Sequence, residues 1–168
     1  NESYASLIAA IEAASGPTYE YVNIDPVYNQ DGGAPGANIR PGFLYNAERV
    51  TLKEGTAGDA TTAVTYENGE LSHNPGLVNP TDPAFTASRK PIAAQFTFNG
   101  EDVFVIGNHF NSKSGDTALF AGTQPPNLVS EAQRIEIAKQ LAAFVQSVQA
   151  DNPKANIVAL GDFNDFEF

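Results

Sequence analysis

A chain of 168 residues with 42% apolar content can bury one ordinary core, and no stretch approaches the roughly 18 uninterrupted apolar residues of a membrane-spanning helix. The formal net charge of -11 disfavours unaided binding to nucleic acid or an anionic membrane, so an anionic substrate would need a cation between it and the protein. The absence of cysteine excludes disulfides and thiolate metal sites, and the joint absence of Cys, Met and Trp fits an exported, oxidation-tolerant protein.

The chain opens at Asn1 with neither Met nor a signal sequence, as a processed or excised piece would. SYASLIAAIEAASGP places Tyr4, Leu7, Ile8 and Ile11 on one helical face, with Ser3 as N-cap and Gly16-Pro17 as the stop. YEYVNI, Tyr19 to Ile24, reads as a strand. A glycine- and proline-rich loop from Asp31 to Gly42 then leads into the strand FLYN, and a second short strand is expected over Arg49 to Lys53. Between Glu54 and Ser88 the composition turns to Gly, Thr, Asn and Pro with little periodicity. This predicts a long surface excursion with one short hairpin.

The second half is more regular. PIAAQFTFNGEDVFVIGNHF is two apolar strands around Asn99-Gly100, a dipeptide that tolerates the positive φ of a tight hairpin. SEAQRIEIAKQLAAFVQSVQ then sets Ile135, Ala138, Leu141, Ala142, Val145 and Val148 on one helical face, and Ser130 with Gln133 forms an S-x-x-Q capping box. The run Ile157 to Leu160 is apolar at every position, which predicts a central strand buried on both faces of a mixed, helix-covered sheet.

That strand ends in Gly161-Asp162-Phe163-Asn164. Asp162 and Asn164 are two apart, so on extended backbone both point to one side, and a carboxylate with a carboxamide offers hard oxygens to Mg²⁺ or Ca²⁺ and to a substrate oxygen. The plainer alternative is an Asx-turn in which both side chains satisfy local N–H groups. An EF-hand loop is disfavoured, since the ligand at the fifth position and the glycine at the sixth are missing. The companion segment is GNHFNSKSGD, Gly107 to Asp116. There His109 leaves an apolar strand, in phase with Val105 and Gly107, beside Ser112, Lys113 and Ser114. A structural histidine is the competing reading. His73 matches no motif and reads as a loop residue.

NHFNSKSGD and LGDFND, separated by a helix containing Arg134 and preceded by NIRPGFLYN and SRKPIAAQF, resemble the endonuclease/exonuclease/phosphatase superfamily. This is the deoxyribonuclease-I-like fold of metal-dependent phosphodiesterases and phosphatases. The resemblance runs from Ala34 onward, and within the superfamily the segments look most like secreted bacterial nucleases. It implies an α/β, four-layered sandwich of two facing mixed sheets flanked by helices, with a site at one edge. By the same resemblance Asp162 would orient or deprotonate the attacking water, and Asn164 would hold a phosphate oxygen. His109 would stabilise phosphoryl charge or assist the leaving group. Arg40, Arg89 and Lys113 would bind phosphate. Asp162 and Asn164 would hold Mg²⁺, or Ca²⁺ or Mn²⁺ in its place.

The superfamily pattern also includes an upstream strand ending in a metal-binding glutamate and a downstream Asp-His pair, and neither is found in this sequence. Phe163, Phe166 and Phe168 look like interior sequence. Residues 1–168 are therefore expected to form one incomplete domain of an extracellular nuclease, with nucleic acid as metal-mediated substrate and no protein partner required. The isolated piece is expected to be weak or inactive. A phosphatase or phospholipid phosphodiesterase on the same fold is the alternative within the class. A secreted Ca²⁺-binding adhesion module is the alternative outside it.

Overall fold

A computed structural model describes residues 2–32, 36 and 38–165. Part of the Asp31–Gly42 loop, together with Asn1, Phe166 and Phe168, lies outside the described residues. Helix α1 spans Glu2–Ala13, so Ser3 sits inside it rather than capping it. Its C-terminus closes by paired bonds, Gly16 N–H to the Ile11 carbonyl at 2.8 Å and Ser15 N–H to the Glu12 carbonyl at 2.9 Å. Ser15 takes the left-handed position, φ 62°, that glycine usually fills in this motif.

Strands β1 (Glu20–Asn23) and β2 (Gly42–Tyr45) form a two-stranded antiparallel sheet. The main sheet is five-stranded and mixed. Its strands are β3 (Thr51–Leu52), β6 (Gly76–Leu77), β7 (Ile92–Phe98), β8 (Glu101–His109) and β9 (Asn156–Asp162). A small hairpin, β4 (Tyr66–Glu67) with β5 (Glu70–Leu71), stands apart. The β7–β8 hairpin turns at Asn99 and Gly100, both at positive φ as the dipeptide predicts. Helix α2 (Glu131–Asp151) makes the crossover that brings β9 parallel to β8.

The alternation of side chains on β7 and β8 divides the core between the two faces of this sheet. Ala93, Phe104, Ile106 and Phe110 pack against Ile137, Leu141, Phe144 and Val148 of α2. Ile92, Ala94 and Phe96 pack against Phe43, with Val22 and Tyr45 beside it. The Phe43 and Phe96 rings meet edge to face at 6.1 Å, joining the small sheet to the large one. On the outer side of the small sheet, Tyr4 of α1 stacks on Tyr21 at 5.1 Å. The order α2, five-stranded sheet, two-stranded sheet, α1 is the expected four-layer arrangement, except that the second sheet is antiparallel rather than mixed.

Four further expectations are corrected. The segment 54–88 is no surface excursion, because Val64, Leu71, Leu77, Val78 and Phe85 are buried in the core. Its anchor is polar. The carboxamide of Asn74 donates to the carbonyls of Lys53 (2.7 Å) and Gln95 (2.9 Å) and accepts the Gln95 N–H (2.8 Å), occupying the stretch of the β7 edge between β3 and β6. The buried stripe of α2 is Arg134, Ile137, Leu141, Phe144 and Val148, while Ile135 is exposed, so the apolar face is rotated from the predicted one. Ser130 makes no capping bond, and Gln133 reaches instead to the carbonyls of Ala84 and Thr86 in and after a 3-10 turn at Pro83–Phe85.

The fourth correction concerns β9. Among the described residues it is the edge of its sheet, and Val158 and Leu160 are 45% and 46% exposed. The two-stranded sheet covers β7 and part of β8 and stops there. Leu160, Val103, Val105 and Phe43 therefore line an open apolar groove. Apolarity at every position states a demand for cover without specifying which neighbour supplies it.

Asn74→Ala is expected to lower the unfolding free energy by about 2–4 kcal/mol in urea titration, because it strands buried backbone groups of Lys53 and Gln95. A loss under about 0.5 kcal/mol, the range of an ordinary surface substitution, would contradict the anchoring role.

Candidate active site

Parallel pairing carries β8 and β9 to a common end. The register runs from Val103↔Asn156 to Asn108↔Gly161 and His109↔Asp162. Two side chains from distant sequence thus emerge side by side, with His109 Nε2 3.9 Å from Asp162 Oδ2. That gap exceeds a direct hydrogen bond but lets one water bridge both groups. Gly161 makes the approach possible. Its φ is +129°, and a Cβ there would lie 2.0 Å from the Asn108 carbonyl oxygen.

Beyond the strand ends the two loops are bound together at Phe110. The Phe110 N–H donates to the Asp162 carbonyl at 2.9 Å. The Phe110 carbonyl accepts from Asn164 Nδ2 at 3.0 Å and from the Arg89 guanidinium. Asn164 also donates its backbone N–H to Asp162 Oδ1 at 2.8 Å, so one Asp162 oxygen serves an Asx-turn and the other faces His109. The turn is therefore formed through one carboxylate oxygen and leaves the other toward the groove.

Charge in the site is local. Burial pushes the His109 imidazole below its ordinary value, the Arg89 guanidinium pushes it the same way, and the Asp162 carboxylate opposes both. The net direction favours the neutral imidazole. Arg89 is 7% exposed and lies behind the site rather than on its wall, and burial lowers its own pKa against the pull of Asp162 and Asp31.

The groove in front holds about 290 Å³ and is lined by Tyr4, Arg40, Gly42, Phe43, His109, Gly161 and Asp162 among others. Arg40 stands on its wall, ion-paired with Asp25 at 3.1 Å. Lys113 is not on the groove wall. It sits farther along the histidine loop, where its charge helps to hold the Asp116 carboxyl below its ordinary value, after the larger effects of the Ser130 hydroxyl and N–H. The structure thus gathers His109, Asp162 and Arg40, sets Asn164 and Arg89 in support behind them, and leaves Lys113 outside. Tyr4 was missed by sequence reasoning because its place on an apolar helical stripe reads as core packing. Glycine at position 42 gives it room, since a Cβ there would lie 2.4 Å from the Tyr4 hydroxyl.

Asp162 and Asn164 were expected to hold a divalent ion. Asn164 directs Nδ2 to a backbone carbonyl, and Asp162 has one oxygen left over. Among the described residues no group of three His, Cys, Asp or Glu side chains gathers anywhere. One carboxylate oxygen of Asp162 and the carboxamide oxygen of Asn164 fall short of the oxygen-rich shell that Mg²⁺, Ca²⁺ or Mn²⁺ takes. The described residues alone do not fit such an ion.

No protein-family model and no curated protein matches the chain. Two solved structures are similar to it at low identity. One is D. rerio TDP2 complexed with a single-strand DNA product, with TM-score 0.48 and 16% identity, covering 98% of this chain and 45% of that one. The other is D. rerio TDP2 humanized by 14 mutations, with TM-score 0.49 and 16% identity, covering 98% and 46%. The chain thus spans less than half the length of either.

In an NMR titration the His109 imidazole is expected to have its midpoint below 6.5, to fall further in Asp162→Asn and to rise in Arg89→Gln. Because the unfolded state binds this proton first, folding stability should decline as pH drops from 6.5 toward the folded midpoint. A midpoint above 6.5, or shifts of the opposite sign, would contradict the electrostatic assignment.

Proposed function

We propose that the groove at the ends of β8 and β9 hydrolyses phosphodiesters, as part of an extracellular nuclease of the deoxyribonuclease-I-like kind. The observation that carries this reading is the in-register pairing of His109 with Asp162, which leaves the imidazole 3.9 Å from a carboxylate oxygen. In this reading Asp162 Oδ2 orients the attacking water and accepts its proton, while His109 Nε2 hydrogen-bonds the phosphoryl oxygens and meets the charge that develops on them. The Arg40 guanidinium adds positive charge on the groove wall. Asn164 acts through Asp162, and Arg89 acts through Phe110 and through its field.

Nucleic acid as the substrate is supported by the groove's local cations in an otherwise acidic chain, since a nuclease of net charge -11 must engage phosphate at a few points rather than over a broad basic face. The joint absence of Cys, Met and Trp fits an extracellular, oxidising setting, and no helix among the described residues is long and apolar enough to cross a membrane. A divalent ion, Mg²⁺ first, belongs to the proposal as a requirement of the resemblance. Its ligands would include groups other than the described ones.

In an enzyme that carries the complete domain, His109→Ala and Asp162→Ala are each expected to lower turnover on a phosphodiester by about two to four orders of magnitude, equivalent to about 3–5 kcal/mol of transition-state stabilisation, with the circular dichroism spectrum unchanged. The double variant should lose less than the sum, because both groups act on one phosphoryl centre. Near-normal turnover in a folded Asp162→Ala protein would reduce Gly161–Asn164 to a turn and overturn the reading.

A further inference from the structure

The histidine segment continues to Asp116, whose carboxylate is turned inward with its side chain 6% exposed. It accepts the Ser130 N–H at 2.7 Å and the Ser130 hydroxyl at 2.6 Å, which explains why Ser130 does not cap α2. Asn111, from the same loop, donates to the Ser130 carbonyl at 3.1 Å. One turn into α2 stands Arg134, 3% exposed. Its Nη1 donates to Ser130 Oγ, its Nη2 lies 3.9 Å from Asp116 Oδ2, and its Nε donates to Asp165 Oδ2 at 3.4 Å. Asp165 directly follows Asn164. A single planar guanidinium therefore reaches the loop that follows His109, the first turn of α2 and the loop that follows Asp162.

Stability alone is a weak reason for this arrangement, since a buried ion pair is often no better than an apolar packing of the same volume. What the guanidinium supplies is geometry. Its donors leave in fixed, diverging directions, and an ammonium cannot engage three segments that way. Arg134 is also absent from the groove wall, so it touches nothing bound there.

We propose that Arg134 is a positioning residue: by clamping Asp165 and Asp116 to the first turn of α2 it fixes the loop beyond Asp162 against the loop beyond His109. The clamp rests on geometry alone. Its consequence for turnover rests on the phosphodiester reading.

Asp165→Asn is the decisive variant, because Asp165 is about half exposed and the substitution preserves volume. Two amides report on the loops, Asn164 N–H on Asp162 Oδ1 and Phe110 N–H on the Asp162 carbonyl. In Asp165→Asn and in Arg134→Gln both are expected to exchange with solvent at least about tenfold faster, while the Phe104 and Ile106 amides of β8 stay within about twofold. Arg134→Lys, which restores charge without the fork, should leave both amides fast. Turnover should fall about tenfold with the Michaelis constant within about twofold, the mark of lost positioning rather than lost binding. Lys139→Ala, which removes an exposed charge from the same helix, should change none of these. Unchanged exchange at Asn164 in Asp165→Asn, or acceleration spread evenly over β8, would overturn the clamp. Normal turnover in His109→Ala and Asp162→Ala would instead sink the phosphodiester reading, and the exchange data would still judge the clamp.

Discussion

The parallel ladder between β8 and β9 is the constraint on which the site depends. Side chains alternate with a strict period of two, so a slip of one residue would turn either His109 or Asp162 to the opposite face of the sheet and remove the pair. Parallel strands also need a long crossover, and α2 provides it while burying Ile137, Leu141, Phe144 and Val148 on the face opposite the groove. The core on one side of the sheet thereby sets the register of the groups on the other. Gly161 permits the last close contact of the two backbones, and Phe110 then gathers the Asp162, Asn164 and Arg89 interactions at the point where the ladder ends.

The electrostatic design follows from placing few charges in a confined space. The chain is strongly acidic, yet the groove and its backing set two guanidinium groups beside the His109 imidazole and the Asp162 carboxylate. Arg89 is kept out of solvent and anchored on a carbonyl, so its field reaches both His109 and Asp162 without the side chain having to move. Arg40, at the groove wall, shares its charge with Asp25. A phosphate entering the groove would compete with that carboxylate for the guanidinium.

Local chemistry made much of this legible in the sequence. The Asn99-Gly100 hairpin, the existence of α2 and the strand before Gly161 follow from turn propensity and apolar pattern, whereas the layer order was implied only by the resemblance of the flanking motifs. The candidate pair His109 and Asp162 emerged from two short motifs, and their adjacency followed from the sheet. Side chains acting in place of backbone were not legible. Asn74 occupies part of a strand edge in a segment with no strand pattern, and Gln133 serves a distant turn rather than its own helix cap. The buried stripe of α2 was misjudged because Arg134 lies on it, and a buried arginine is legible only once Asp116 and Asp165 are seen beside it. Burial of β9 was overestimated because the apolar pattern is silent about which neighbours are present.

The central claim is that a phosphodiester binds where β8 and β9 end, between His109 and Asp162. Chemical-shift mapping of the chain with a hydrolysis-resistant phosphorothioate dinucleotide addresses it directly, since it reports the place of binding without requiring turnover. The account predicts shifts concentrated at Tyr4, Arg40, His109, Gly161 and Asp162, the residues that line the groove. Shifts centred instead on the separate groove lined by Asn29, Asp82 and Lys90, with His109 unmoved, would contradict it.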